Sequence, residues 1–230
     1  MKKVFLLIFI AIIFCGCKQN NTKYLTSDSF FEIINLEIGS YEYSIFSLSE
    51  TAVTNYPNLN IFMNNLLYNG LSANEWLNNK KQLIESEQIM YINAVIRDKA
   101  VKKGNLLSIF RDGYTGPGFD GGNTSPISFT AIVNIQNSKL LTAEDLININ
   151  DDLFKYIIFY KLSEYMVSHG SENSELDNNY LLSTLEIFLT ETGIGFHFPY
   201  AIGKWSVEII LPYTLIGYFL TPLGTNELLN

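Results

Sequence analysis

The sequence predicts an α+β fold with antiparallel sheets, helices packed on one face, and two intertwined subdomains. Two patterns lead to this prediction. Side chains within Tyr41–Leu48 alternate between two faces, which is typical of a half-buried strand. Apolar side chains within Asp151–His169 recur at steps of three and four, which is typical of an amphipathic helix that Gly170 ends. A hydrophobic content of 47% excludes a disordered chain.

The remaining elements follow from capping signals, turns and apolar runs. Asn60–Glu87 is predicted as two helices, the first closed by Gly70 and the second started by a capping box at Ser72–Glu75. Asn55–Leu59 is predicted as a turn. Further strands are expected at Ser29–Leu36, Ile89–Asp98, Leu106–Phe110, Ile127–Ile135, Tyr180–Thr190, Ile194–Phe198 and Trp205–Leu211, and further helical turns at Thr142–Asp145 and Pro212–Leu220.

The first 17 residues have the organisation of an export signal. Lys2 and Lys3 precede a short apolar core, Val4–Phe14, and the segment ends Phe14-Cys15-Gly16-Cys17. This ending resembles the lipobox of bacterial lipoproteins, which implies that Cys17 carries a diacylglycerol group and becomes the first residue of the mature chain. The alternatives are an ordinary cleaved signal and a short membrane anchor. With both cysteines used, no disulfide and no thiol nucleophile would remain.

These signals divide the chain into four parts. They are a lipoprotein signal peptide at 1–17, a tether with the N-terminal strands at 18–54, an N-terminal α+β subdomain with a glycine-rich loop at 55–147, and a C-terminal α+β subdomain at 148–230. The net charge is −8, and loss of Lys2 and Lys3 leaves 13 basic against 23 acidic residues, a charge of −10. Such a chain repels nucleic acid and favours basic partners, although acidity also serves solubility.

No motif in the sequence indicates catalysis, a metal ion or a cofactor, so we expect a protein that is not an enzyme. The loop with Gly113, Gly116, Gly118, Gly121 and Gly122 leads into a β run and contains no lysine, unlike a phosphate-binding loop. Its oxygen ligands do not have the spacing of a calcium loop. His169 and His197 are too isolated for a zinc site and are predicted to be structural.

Three segments in succession resemble one known family. They are Tyr114-Thr-Gly116, Leu141-Thr-Ala-Glu-Asp-Leu146, and Leu189-Thr-Glu-Thr-Gly-Ile-Gly-Phe196 followed by Ile210-Leu-Pro-Tyr213. The order resembles the RsiV-like extracytoplasmic domain, found in an anti-sigma factor and attached to a peptidoglycan deacetylase. The resemblance implies an α+β fold outside the cytoplasm and, from the anti-sigma factor, recognition of lysozyme, a small basic protein. We expect neither sigma-factor binding nor deacetylation, because those activities belong to other parts of the relatives.

The leading hypothesis is therefore a lipid-anchored protein of the cell envelope, on the periplasmic or outer face, that binds an extracytoplasmic ligand. Lysozyme and a peptidoglycan component are the candidates. Tyr114, Phe119 and Tyr200, on segments predicted as loops or turns, are the candidate anchors, because aromatic rings bury a large area for little loss of side-chain entropy. The alternative for these rings is that they pin the loops to the core. The alternatives for the protein are an enzyme of cell-wall metabolism and a structural envelope subunit.

Replacing Cys17 by serine should leave an unprocessed precursor without lipid, because the modification requires the cysteine sulfur. Metabolic labelling with a radioactive fatty acid measures the lipid, and an immunoblot measures the size of the precursor. Cys15→Ser is the matched control and should keep its label. Equal labelling of the wild type and Cys17→Ser would contradict the hypothesis.

Overall fold

The computed structural model describes residues 30–89, 91–117, 124–168, 182, 185–202 and 205–229, with the backbone alone at 199–202, 205 and 206. The strands are β1 Phe31–Ile38, β2 Tyr41–Leu48, β3 Ala94–Lys103, β4 Leu106–Thr115, β5 Ser125–Asn134, β6 Lys139–Leu141, β7 Glu186–Leu189, β8 Gly193–Ile202 and β9 Trp205–Pro212. The helices are α1 Glu50–Asn55, α2 Pro57–Tyr68, α3 Ala73–Glu85, α4 Ala143–Leu146, α5 Asp152–Ser168, α6 Tyr213–Ile216 and α7 Pro222–Leu228, with a 3₁₀ helix at Gly217–Phe219. The predicted α+β class is confirmed.

The first sheet has six strands in sequence order, β1 to β6. All neighbours pair antiparallel except β2 and β3, which are parallel over Tyr41–Ser44 and Ala94–Arg97. The expectation of purely antiparallel sheets was wrong for this pair. The reason is that α1, α2 and α3 lie between the two strands in sequence, and such a crossover returns the chain in the same direction.

Helices α1 to α3 cover one face of the first sheet. They bury an apolar core with side chains of β2, β3, β4 and β5, including Tyr43, Ile45, Leu107, Ile109 and Val133. Burial on this scale is the main favourable contribution to folding. The helix boundaries depend on local caps. Ser72 and Glu75 form the predicted capping box of α3, and Asn69 and Gly70 both take left-handed backbone angles where α2 ends.

The second sheet has three antiparallel strands, β7, β8 and β9, and packs on the opposite face of the first sheet. The rings of Phe110 and Phe188 stack at 4.5 Å between the sheets, and the Leu189 N–H donates to Ser108 Oγ at 2.8 Å. Helix α5 buries Phe154, Ile158, Leu162 and Met166 in a second core shared with the other side of the second sheet. The layers are therefore α1–α3, first sheet, second sheet and α5.

Several predicted boundaries were wrong, and each error has a local cause. Pro57 was placed in a turn, but it is the first residue of α2, a position where its missing N–H has no cost. Strand β4 continues from Phe110 to Thr115, because Gly113 pairs with β3 where a side chain would not fit. Helix α7 was not predicted, because Gly224 interrupts its helical pattern. Among the described residues, no helix is long and apolar enough to cross a membrane.

A buried ion pair joins α2 to three strands of the first sheet. Arg111 of β4 donates from Nε to Asp98 Oδ1 at 2.7 Å and from Nη2 to Asp98 Oδ2 at 2.8 Å. Asp98 also accepts the Phe46 N–H of β2 at 3.0 Å, and Arg111 donates to the Leu67 carbonyl at the end of α2 at 3.3 Å. Burial alone would lower the pKa of Arg111, but the hydrogen bond and charge of Asp98 outweigh it and raise that pKa. Burial also raises the pKa of Tyr68, whose hydroxyl donates to the Phe46 carbonyl.

The C-terminal helix closes the turn between β3 and β4. Glu227 of α7 is buried, and its Oε2 accepts the Asn105 N–H at 2.8 Å. Gly104 precedes Asn105 in this turn with φ +55°, and a Cβ there would lie 2.8 Å from the Glu227 carbonyl oxygen. Helix α7 is therefore part of the structure around the first sheet.

Replacing Arg111 by leucine should lower the free energy of unfolding by about 3–5 kcal/mol, because the Asp98 carboxylate would stay buried without its cation. Arg97→Leu is the matched control, since it removes an arginine from an exposed pair with Glu42 and should cost no more than about 1 kcal/mol. Urea unfolding followed by circular dichroism measures both. Equal losses would show that the buried pair has no special role.

Replacing Gly113 by alanine should cost more than about 3 kcal/mol, because the new Cβ would lie 1.9 Å from the Val95 carbonyl oxygen. Gly39→Ala separates this clash from backbone strain, since Gly39 has φ +58° and no atom within 4 Å of its built Cβ. It should cost about 1 kcal/mol. Thermal unfolding of both variants measures the difference, and similar melting temperatures would contradict the close approach of β3 and β4 at this position.

Candidate binding face beside the second sheet

The second sheet leaves one half of the first sheet uncovered. Alternation along β4 directs Leu107, Ile109 and Arg111 toward the helices and Leu106, Ser108 and Phe110 toward the second sheet. Asp112 and Tyr114 point to the same side as Leu106, Ser108 and Phe110, but they lie beyond the part of β4 that β7 covers. We call this uncovered surface the open face. It consists of exposed or half-exposed side chains on β2 to β5: Glu42, Arg97, Lys99, Asp112, Tyr114 and Ser128.

Cross-strand ion pairs give the open face a polar, ordered surface. Arg97 lies 3.0 Å from Glu42, and Lys99 lies 3.3 Å from Asp112. The Lys99 ammonium also lies over the Phe110 ring, 5.1 Å from its centroid. Exposed pairs of this kind contribute little to stability. The backbone beneath them is paired in the sheet, so the open face has an ordered framework.

A row of polar residues forms the border between the open face and the second sheet. His197 of β8 is fully buried, and its Nδ1 lies 3.0 Å from Glu186 Oε2 on β7. Ser128 Oγ lies 2.9 Å from His197 Nε2, and Thr130 Oγ1 donates to Glu186 at 3.4 Å. Glu208 of β9 is the cross-strand neighbour of His197 on the other side. Sequence reasoning predicted a structural His197 but missed these partners, which only the strand register brings together.

Serine, histidine and glutamate in contact raise the question of nucleophilic catalysis. If Ser128 Oγ accepted or donated along the lone-pair axis of His197 Nε2, it would point away from the ring. Its distance to Nδ1, on the other side of the ring, would then be much longer than its distance to Nε2. Ser128 Oγ is only 3.5 Å from Nδ1, so it lies over the face of the imidazole and not on that axis. Proton transfer from the hydroxyl to the ring requires alignment. The trio in this geometry is a polar contact between the two sheets.

Tyr114 is the candidate anchor that the structure describes fully. Its side chain is 40% exposed, so the ring is not pinned in the core. The sequence indicated a turn for Tyr114, but the residue lies on β4, where it is paired with Val95 of β3 and Pro126 of β5. Gly116 anchors the next turn by donating to the Asn93 carbonyl at 2.8 Å.

The other predicted site residues are described in part or not at all. Tyr200 also lies on a strand, β8, but its side chain is outside the described atoms. Strand β7 runs from Thr130 toward Ser108, so the antiparallel β8 runs past Ser128 toward the end of the first sheet that carries Tyr114. The backbone of Tyr200 is therefore directed toward the Tyr114 end. Phe119 and Cys17, together with Gly118, Gly121, Gly122 and His169, lie outside the described residues.

Two grooves lie away from the open face. One, of about 470 Å³, is lined by Tyr41, Ile84, Glu87 and Ile89 on the helix side of the first sheet. The other, of about 360 Å³, lies beside α6 and is lined by Tyr213, Thr214, Gly217, Tyr218 and Leu229. Burial raises the pKa of Tyr213 to about 12, so this phenol stays neutral at physiological pH. Within the described ranges, no three histidine, cysteine or acidic side chains group as metal ligands.

Comparison with known proteins gives structural similarity at low sequence identity. The chain is similar to the crystal structure of a DUF3298 family protein from Pseudomonas aeruginosa PAO1, with 12% identity, a TM-score of 0.49, and coverage of 84% of this chain and 94% of that one. It is also similar to a DUF3298 family member from Bacteroides fragilis NCTC 9343, with 14% identity, a TM-score of 0.44, and coverage of 83% and 93%. No family model matches the sequence, and no curated protein matches it.

Proposed function

We propose that this protein is a lipid-anchored envelope protein whose domain binds a basic extracytoplasmic protein, with lysozyme as the candidate ligand. The observation that supports this most directly is the exposed ring of Tyr114 on a strand paired on both sides. Exposed aromatic side chains on rigid elements are typical anchors of protein interfaces. The binding surface is the open face with the neighbouring turn after Thr115.

Rigidity favours Tyr114 as an anchor over an exposed residue of a loose loop. Its backbone pairs with β3 and β5, and the following turn is held by hydrogen bonds from Gly116 N–H to Asn93 and from Ile92 N–H to Pro117. Binding at a pre-ordered side chain loses less conformational entropy than binding at a mobile one.

Charge supports a basic ligand over an acidic one. In the part of the chain that the structure describes, six basic side chains already pair with carboxylates: Lys81, Arg97, Lys99, Arg111, Lys139 and Lys161. The chain has 23 acidic against 15 basic residues, so carboxylates remain in excess. An acidic domain attracts a basic protein over a distance of about one Debye length, roughly 8–10 Å at physiological salt. The resemblance to RsiV-like domains agrees with lysozyme as that protein.

Replacing Tyr114 by alanine should weaken lysozyme binding by about tenfold or more, while the melting temperature changes little, because the ring buries area in the complex and not in the free domain. Isothermal titration calorimetry at low salt measures the affinity. Tyr218→Ala is the matched control, since Tyr218 is a tyrosine with 85% exposure on the distant 3₁₀ helix. It should bind as the wild type does.

The same titration tests the proposal as a whole. Affinity should fall as salt rises through the physiological range, because exposed charges are screened. A large loss of stability in Tyr114→Ala would show that the ring supports the fold instead. If the wild type binds no lysozyme even at low salt, the lysozyme assignment is wrong, and peptidoglycan fragments become the next ligands to titrate.

A further inference from the structure

Strand β1 forms an outer edge of the first sheet with unpaired backbone groups. The Ser49 N–H donates to the Phe30 carbonyl at 3.0 Å, and hydrogen-bonded pairs alternate along an antiparallel ladder. Phe31, Ile33, Asn35 and Glu37 are therefore the residues whose N–H and C=O groups point away from β2. Phe46 of β2 lies opposite Ile33, and its N–H donates to Asp98 on β3. It therefore points away from β1, as the alternation requires. No described residue hydrogen-bonds the outward groups of β1.

This edge lacks the usual protection of an exposed strand. Proteins shield edges with short strands, prolines, bulges, charged side chains, most often lysine, or a covering segment, and of these β1 has only the carboxylates of Glu32 and Glu37. Of the other edge strands, β6 has three residues, β7 has four and packs on the first sheet, and β9 has eight and packs against α5. Strand β1 has eight residues in an unbroken register with β2 and contains neither proline nor lysine. It is long and regular enough to pair with another strand.

The charges along this edge favour a basic occupant. Glu37 and Glu42 lie directly opposite each other on β1 and β2, and like charges in such a pair are destabilising. Arg97 neutralises Glu42 at 3.0 Å, but Glu37 is exposed and has no ion pair among the described residues. A cation placed beside Glu37 would remove the repulsion. At the other end of the same face, Phe31 and Ile33 offer half-buried apolar surface.

We propose that the β1 edge is a docking site for an extended polypeptide segment of a basic partner, which adds to the six-stranded sheet as a further strand. Main-chain hydrogen bonds to Phe31, Ile33, Asn35 and Glu37 supply the attachment. Specificity comes from a lysine or arginine next to Glu37 and from apolar side chains next to Phe31 and Ile33. The site does not include Tyr114, so a test of the β1 edge can fail while lysozyme binding is confirmed, and the reverse.

A synthetic peptide tests this site directly. The probe is a fluorescent peptide of about nine residues, matched to the length of a strand, in which threonine and valine alternate and lysine stands only near the end that would lie beside Glu37. It is titrated into the full chain in a non-ionic detergent and followed by fluorescence anisotropy. Hydrogen–deuterium exchange with mass spectrometry then reads the amides of Phe31–Ile38. We expect saturable binding and slower exchange in this segment.

Two controls separate strand addition from simple charge attraction. The same peptide with N-methyl groups on alternate amides keeps its charge but cannot complete the ladder, and it should bind at least about tenfold more weakly. On the protein, Asn35→Pro removes one outward N–H without touching the ladder to β2, a change that edge strands tolerate. It should weaken binding to a similar extent, whereas Asn35→Thr, which keeps the N–H, should not. A peptide with glutamate in place of lysine should not bind.

Each other outcome would overturn the proposal. Binding that survives both N-methylation and Asn35→Pro would mean charge attraction alone. Slow exchange at β1 in the monomeric chain without peptide would mean that another segment of this chain already covers the edge. Protection that appears only as protein concentration rises, together with a dimer in sedimentation, would assign the edge to a second copy of the chain.

Discussion

The buried pair of Asp98 and Arg111 links helix α2 to strands β2, β3 and β4 of the first sheet. Strand β2 pairs with β3 only as far as Ser44, and beyond that point the Asp98 carboxylate takes the place of a β3 backbone acceptor for Phe46. The guanidinium of Arg111 extends the same link to the end of α2. A buried carboxylate without its cation is strongly unfavourable, so placements of α2 that would separate the pair are disfavoured. The outer strand β1 depends on this link as well, because β1 is paired in the sheet only with β2.

The two faces of the first sheet have different physical roles. One face is apolar and is covered by helices α1 to α3. Its burial is the main source of stability for the first sheet and these helices. The other is divided between a covered half, where Phe110 stacks on Phe188, and an open half of paired charges around Tyr114. The border between these halves is the row of Glu186, His197 and Ser128. At this border Glu186 lies within hydrogen-bond distance of His197 Nδ1, and Ser128 contacts the face of the same ring, so the buried histidine has polar neighbours between the core and the solvent-facing surface.

Local signals in the sequence were sufficient for what local chemistry controls. The capping box at Ser72–Glu75 and the C-terminal end of α2 depend on residues close in sequence, and the sequence predicted them correctly. The parallel pairing of β2 with β3 and the row across β7, β8 and β9 depend on contacts between distant segments, which no periodicity encodes. Of the candidate site, the sequence identified Tyr114 by residue type. Its exposure, its place on a strand and the edge of β1 required the register.

The link between Glu227 and Asn105 has a consequence for the order of assembly. A polypeptide emerges from the ribosome beginning at its N terminus, so the hairpin of β3 and β4 exists long before the carboxylate that it needs. That carboxylate follows Asn105 by 122 residues. Until the final helix is made, the Asn105 amide must bond to water, and the surface beneath α7 stays hydrated. Contacts so distant in sequence form late and slowly. A nascent chain can therefore complete the turn at Asn105 only after helix α7 has left the ribosome, long after the hairpin itself has been made.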